Sequence, residues 1–198
     1  MGKIFCIMGK SSSGKDTLYQ LLLKKKELQL SRVISYTTRP KRHLEEEGRE
    51  YFFVDEKRQM EMEKEGKIIE LRSYDTIHGI WKYFTADDGQ IRLKDHNYLM
   101  IATLEAYEKM LLFFGKDVMV PVYVEVEDGV RLQRALDREK LQDTPKYAEL
   151  CRRFLADTED FAEEKLLHAR IEKRFYNASL ADTCEEIAEY IRLEMDTL

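Results

Sequence analysis

The stretch Gly9-Lys10-Ser11-Ser12-Ser13-Gly14-Lys15-Asp16-Thr17 limits what this chain can fold into more than any other. It spells G-x-x-x-x-G-K, follows directly on the apolar run Lys3 to Met8, and leads into a helical pattern. Small residues are needed in such a loop because backbone N–H groups must close around phosphate oxygens, with a helix dipole behind them. The order strand, loop, helix makes Gly9 through Thr17 the candidate ATP-binding loop, and Lys15 the side chain that reaches the transferred group. A flexible Gly/Ser turn capping a helix is the plainer reading of the same letters.

One letter departs from the pattern. Asp16 stands where a serine or threonine ordinarily offers a hydroxyl to magnesium. A carboxylate there could hold the metal directly or through water, as a hard oxygen ligand, or it could repel the nucleotide phosphates. The metal role is the expectation taken forward, with Mg2+ as the cofactor that accompanies ATP.

Around this loop, short runs rich in Val, Ile, Tyr and Phe alternate with longer helical patterns, the rhythm of βα units and a parallel sheet. The fold class expected is α/β, a P-loop NTPase-type parallel sheet flanked by helices. Predicted core strands are Lys3 to Met8, Arg32 to Tyr36, Tyr98 to Thr103, Val118 to Val126 and Glu172 to Tyr176. Predicted helices are Lys15 to Lys26, Leu104 to Phe114, Asp128 to Lys140, Pro145 to His168 and Asp182 to Met195, the last opening on an Asp182/Glu185 capping box. Between them the rhythm changes to short strands, Tyr51 to Val54, Lys67 to Tyr74 and His78 to Phe84, with one charged helix among them. We therefore expect a single domain, 1–198, with its core at 1–34 and 85–198, an inserted mixed β lobe at about 35–84, and a helical lid at about 138–153.

Composition narrows the setting. A chain of 198 residues, 43% hydrophobic, can bury one core. The three cysteines are scattered without a CxxC spacing, which argues against a disulfide framework or a zinc site and for a reducing compartment. The N-terminal apolar run is too short for a spanning helix, so the expected location is cytoplasmic, with no membrane partner. A net charge of -5 argues against a nucleic-acid partner, so anionic ligands must be held by local clusters of Lys and Arg. No oligomeric state is implied.

One such cluster is Arg39, Lys41 and Arg42, after the second predicted strand and shortly before Tyr51. Guanidinium forks fit phosphate bidentately, so the cluster reads as a phosphate clamp; a solvated basic loop is the alternative. The fuller pattern is Ser35-Tyr36-Thr37-Thr38-Arg39-Pro40-Lys41-Arg42, then Gly48-Arg49-Glu50-Tyr51-Phe52-Phe53-Val54, then an apolar strand ending in Glu70. It resembles the GMP-binding lobe of the guanylate kinase family. By that resemblance Arg39, Arg42 and Tyr51 grip the phosphate of GMP, while Ser35 and Glu70 read the guanine. Guanine offers N1–H and N2–H donors side by side, and a carboxylate accepts both. Taken alone, Glu70 would read as an exposed residue at a strand edge.

The resemblance is incomplete in two places. Where the family carries G-N-Y-Y-G, this chain has Asp75-Thr76-Ile77-His78-Gly79; His78 replaces the tyrosine's hydrogen bond or is a surface histidine, and Tyr83 is another substitute. Where the family carries a D-x-D pair, Leu99-Met100-Ile101-Ala102-Thr103 holds no acid. Asp16 compensating for that pair would make its own departure in the loop and the missing D-x-D one rearrangement of magnesium ligands.

Arg131, Arg134 and Arg138 recur at helical spacing, with Leu132, Ala135 and Leu136 on the other side, so one stripe should face the core and the other phosphate. Arg152 and Arg153 follow after a loop. The arrangement is similar to the family's mobile lid, which implies closing roles for Arg134, Arg138 and Arg153; Arg131 stands equally well as a solvent-facing residue. Asn177 resembles the first half of the family's N-D near the adenine.

The resemblance thus implies a nucleoside monophosphate kinase of purine nucleotide metabolism, ATP plus GMP giving ADP plus GDP. Lys15, Arg39, Arg134, Arg138 and Arg153 would carry the catalysis by charge stabilisation. Ribose 1,5-bisphosphate phosphokinase is an alternative, similar in its G-K-D loop and missing D-x-D; against it stand Ser35, Arg42, Tyr51 and Glu70. A catalytically silent protein-binding domain of the same family is an alternative of another class, and the intact Gly14 and Lys15 argue against it.

Overall fold

The N-terminal apolar run forms β1 (Ile4–Met8), buried at every position. The computed structural model describes residues 1–76 and 79–197. After the loop come α1 (Lys15–Lys24) and β2 (Leu30–Arg32), and far along the chain β7 (Asn97–Ile101), α3 (Leu104–Phe114), β8 (Met119–Glu125), α4 (Asp128–Lys140), α5 (Tyr147–Asp160), α6 (Glu163–His168), β9 (Arg174–Tyr176) and α7 (Leu180–Asp196). These strands make a parallel sheet in the order β2-β7-β1-β8-β9, with β1 central between Tyr98 and Leu99 on one side and Met119 and Val120 on the other.

Alternation along β1 builds two cores. Ile4, Cys6 and Met8 pack with Met100, Met110, Tyr123 and Phe161, whereas Phe5 and Ile7 pack with Leu18 and Leu22 of α1, Phe175 of β9, and Ile187 and Ile191 of α7. A strand covered on both faces must be apolar throughout, which is why β1 reads as a continuous run rather than an alternation.

The second sheet takes β3 (Tyr36–Thr37), β4 (Phe52–Phe53), β5 (Ile68–Thr76) and β6 (Gly79–Ala86) in the order β4-β3-β6-β5, mixed in direction, with α2 (Glu56–Lys64) beside it. Asp55 caps α2 by accepting the Arg58 N–H at 2.7 Å, and Met62 carries the helix onto Phe84 and Ala86. Lys109 of α3 ties the lobe to the main sheet by donating to the Leu71 carbonyl at 2.8 Å.

Several predicted boundaries shift for tertiary reasons. The strand expected over Arg32 to Tyr36 is two strands in different sheets: Val33 still donates to the Leu99 carbonyl, then Ile34 N–H turns to the Gln90 side chain at 2.8 Å and the chain leaves for the lobe. The helix expected from Pro145 to His168 breaks after Asp160, where Phe161 is buried against Tyr123. The last helix starts at Leu180 with Ser179 as its cap, while Glu185 binds Lys25 at 2.7 Å instead of closing a capping box. On α4 the stripe expected to face the core does not: Leu132 is exposed and Arg131 is the buried residue. That helix packs chiefly on α5 rather than on a sheet, and Arg131 lies over the Phe154 ring there.

Candidate active site

The glycine loop owes its path to two close approaches. A Cβ on Gly9 would lie 2.4 Å from the Val124 carbonyl oxygen of β8. Gly14 has φ +86°, and a Cβ there would fall 2.5 Å from Asn177 Nδ2, so the turn into α1 admits glycine alone. Asn177 is buried and donates to the Ser13 carbonyl at 2.7 Å, bracing the loop from β9. Lys15 opens α1, its ammonium 3.9 Å from the carboxylate of Asp16, which is itself largely exposed. Among the described residues no cluster of three or more His, Cys, Asp or Glu is placed to hold a metal by itself.

Helices α4 and α5 reach this loop directly. Arg138 donates to Ser12 Oγ at 3.1 Å and Arg153 to Ser11 Oγ at 3.3 Å. Arg131, 1% exposed, donates to the Ser11 carbonyl at 3.0 Å and forks onto Asp128 at 2.7 and 3.0 Å, with its guanidinium 4.7 Å above the Phe154 ring. That pairing holds the Asp128 carboxyl below its ordinary range. The solvent-facing reading of Arg131 is therefore wrong: a cation whose fork is filled by a carboxylate and a carbonyl can be buried. Asp157 of α5 completes the contact by accepting the Ser11 N–H at 2.8 Å.

Two of the cavities bordering the loop meet at Ser12 and Arg138. One of about 380 Å³ is lined by Ser11, Ser12, Arg138, Arg153 and, from the lobe, Arg42. The other, about 350 Å³, lies between Gly14, Asp16, Thr17, Arg134, Arg138 and Asn177. Arg138 thus stands between a space shared with the lobe and a space on the α1 side of the loop.

In the lobe the expected clamp is only partly free. Arg39 is buried and its Nη1 and Nη2 fork onto Glu45 at 2.7 and 2.5 Å, which draws the Glu45 carboxyl down to about 2. The same carboxylate accepts the Arg42 N–H at 2.8 Å, shaping the turn that sends the Arg42 side chain to the loop cavity. Tyr51 lies under the Arg39 guanidinium at 5.1 Å and edge-on to Tyr83 at 5.6 Å; burial pushes its hydroxyl upward. Ser35, Thr85 and Glu70 form a chain, Ser35 Oγ to Thr85 Oγ1 at 3.3 Å and Thr85 Oγ1 donating to Glu70 at 2.9 Å. Glu70 is 2% exposed, so the reading of it as a surface residue at a strand edge fails. His78 lies outside the described residues.

Comparison with known proteins gives this arrangement its family. A family model described as "Guanylate kinase" matches residues 1–80. The guanylate kinase of Parasynechococcus marenigrum is 30% identical over 87% of this chain and 84% of its own length. The chain belongs to the guanylate kinase family. The guanylate kinase of Thermotoga maritima is similar over a longer span, 28% identical across 98% of this chain and 87% of that protein. Among solved structures, the guanylate kinase of Anaplasma phagocytophilum superposes with a TM-score of 0.66 at 21% identity, covering 99% of this chain and 87% of that one, which shows the shared α/β fold.

In this member of the guanylate kinase family, sequence reasoning missed several residues that surround the expected site. Glu45, Arg72, Thr85, Thr103 and Asp157 all touch expected site residues or their partners. Arg72 had a visible signal, since it stands two residues after Glu70 on one strand and so shares its face. Asp157 had none, because its partner Ser11 lies 146 residues away. No helix among the described residues is long and apolar enough to cross a membrane.

Proposed function

We propose that this protein is an ATP:GMP phosphotransferase, moving the γ-phosphoryl group of ATP to the phosphate of GMP. The observation that carries the reading is the cavity in which Arg42 of the lobe meets Ser11 and Ser12 of the glycine loop under Arg138 and Arg153. A donor phosphate chain on the loop and an acceptor phosphate beside Arg42 would meet there end to end, the geometry that in-line transfer requires. Relatives named guanylate kinase at 26 to 30% identity over most of the chain support the acceptor assignment.

In this account the loop amides and Lys15 hold the β- and γ-phosphates, and Arg134 and Asn177 border the space for the adenosine. Arg138 and Arg153 add positive charge where the transferring oxygens gather it, and Arg39, Arg42 and Tyr51 position the acceptor phosphate. Phosphoryl transfer asks for positioning and charge stabilisation in a water-poor cleft rather than a covalent intermediate, and cationic side chains from three directions supply that.

Magnesium fits the donor set. Such an ion needs one or two carboxylates, the rest of its shell coming from phosphates and water. Asp16 meets that demand: its carboxylate is exposed, lines the cavity beside the loop, and has only the 3.9 Å approach of Lys15 to contend with. Once bound, the ion would neutralise phosphate charge. Three free cysteines, two of them buried, fit a reducing cytoplasmic setting.

The test is ADP release from ATP with GMP, dGMP, AMP or ribose 1,5-bisphosphate as acceptor, with Lys15→Ala as the blank. The reading expects turnover with the guanine nucleotides and loss in Lys15→Ala. Turnover with the sugar bisphosphate alone would transfer the assignment to that acceptor, and none with any acceptor would favour a binding domain.

A further inference from the structure

Glu70 is held by more than Thr85. Arg72, on the same face of β5, donates Nε to Glu70 Oε2 at 2.9 Å and Nη2 to Oε1 at 3.1 Å, and the Thr85 hydroxyl adds its bond to Oε1 at 2.9 Å. The Glu70 side chain is fully buried and that of Arg72 is 12% exposed. The remaining Arg72 nitrogen, Nη1, makes a long contact of 3.3 Å to Thr103 Oγ1, at the N-cap of α3. This pair links the lobe to the main sheet at the level expected to read the acceptor's base.

Counting acceptor sites exposes a conflict. A carboxylate offers about four lone-pair positions, and Arg72 and Thr85 fill three of them. A guanine presents N1–H and N2–H together and needs two. Glu70 therefore cannot take the base while the Arg72 fork is closed; at least one Arg72 N–H has to leave it. Guanine itself supplies the place for that N–H to go. Next to N1–H on the purine lies O6, with N7 beyond, and a guanidinium is the side chain that pairs with O6 and N7. Read along the edge, guanine runs donor, donor, acceptor; a carboxylate with a guanidinium beside it runs acceptor, acceptor, donor. Adenine, with an acceptor at N1 and a donor at N6, mismatches both.

Resting on the GMP reading above, we infer that Arg72 is a specificity-determining residue of the acceptor site: it holds Glu70 until the nucleotide binds, then yields one carboxylate oxygen to the base and donates to O6. Arg72 and Glu70 are a two-part reader, and base choice belongs to the pair. No bond is made or broken in this exchange beyond hydrogen bonds. The N–H that has to move is that of Nε or Nη2, since Nη1 sits on Thr103 Oγ1 and occupies no site on Glu70.

The experiment compares GMP with thioguanosine monophosphate, in which sulfur, a poor acceptor, replaces O6. KM for each is measured in the wild type and in Arg72→Met, and their ratio is independent of how much protein is active. The wild type is expected to lose roughly tenfold in KM with the thio analogue, the size of one good base-edge contact. In Arg72→Met the GMP KM should rise by roughly tenfold and the ratio should fall to near one, with kcat changed far less. Removing Arg72 leaves a buried carboxylate short of partners, so Glu70→Gln and Glu70→Gln/Arg72→Met form a second pair, in which the single variant carries the opposite unpaired charge and the double variant none. There too the ratio should be large with Arg72 and near one without it. A ratio that is the same with and without Arg72 in either pair overturns the inference and leaves Arg72 a structural partner of Glu70. A wild type that does not use GMP at all fails in the arm with no substitution, which marks the acceptor reading, not Arg72, as the error.

Discussion

Asp157 accepts the main-chain N–H of Ser11 at 2.8 Å, so a carboxylate from α5 holds a loop amide that, on the proposed function, would face the nucleotide's phosphates. The same residue lies 3.5 Å from Arg131 Nη1, which donates to the Ser11 carbonyl. Asp157 thus reaches the loop beside Arg131, Arg138 and Arg153, and on that proposal a bound phosphate would compete with it for Ser11 N–H. Asp157→Asn weakens the competing anion and should tighten ATP about fivefold, the worth of roughly one hydrogen bond. Calorimetric titration of ATP into both proteins measures it; unchanged or weaker binding would mean that Asp157 supports the loop.

Lys15, Arg138 and Arg153 should behave as charge donors to the reaction rather than as fold elements. Arg138 and Arg153 line the cavity beside the loop and Lys15 opens α1 at the loop's end, and none of the three belongs to a hydrophobic cluster. Alanine at any of them should lower kcat by about 10²- to 10³-fold, with thermal stability little altered. Steady-state rates and melting curves on the same preparations separate the two effects.

Arg42 and Arg134 border different cavities, and their substitutions should sort by substrate. Arg42→Ala should raise the KM for GMP by about tenfold and leave that for ATP nearly unchanged; Arg134→Ala should do the reverse. Initial rates over a grid of both substrates give both constants.

Asp16→Ser tests the metal assignment. If Asp16 is a magnesium ligand, the variant should need several-fold more magnesium for half-maximal turnover. A titration of rate against free magnesium that superposes on the wild type would remove Asp16 from the metal site.

The Arg39–Glu45 pair makes a prediction about acid. Glu45 is drawn from an ordinary value of 4.5 to about 2 by the Arg39 fork, so the unfolded chain binds the proton first as pH falls. Stability from this pair is complete above about pH 4.5 and is lost on the way to about pH 2. Glu45→Gln should flatten the fall in denaturant midpoint across that window, and an equally steep fall would exclude the pair as its source.

Some of this was legible in the sequence and some was not, for physical reasons. The glycine loop reads plainly because Gly9 and Gly14 meet backbone and side chain where no Cβ fits, so chemistry leaves few letters free. In the lobe, the motif's Ser35 and Glu70 do fall in one hydrogen-bonded chain through Thr85, and its Tyr51 lies beside Arg39. The break at Phe161 did not read in the sequence, since no proline or glycine marks it and burial against Tyr123 causes it. Nor did the burial of Arg131, because charge pattern on α4 says nothing about a partner carbonyl on Ser11. Contacts made by residues far apart in the chain, such as Asp157 with Ser11, have no local signature.

The central claim is that a donor phosphate chain on the loop and an acceptor phosphate beside Arg42 occupy one continuous cleft. The most direct measurement is the affinity of a single molecule in which adenosine and guanosine are joined through a chain of five phosphates. The account predicts binding far tighter than that of ATP or GMP alone, weakened by Lys15→Ala and by Arg42→Ala alike. Binding no tighter than ATP, and indifferent to Arg42→Ala, would contradict it.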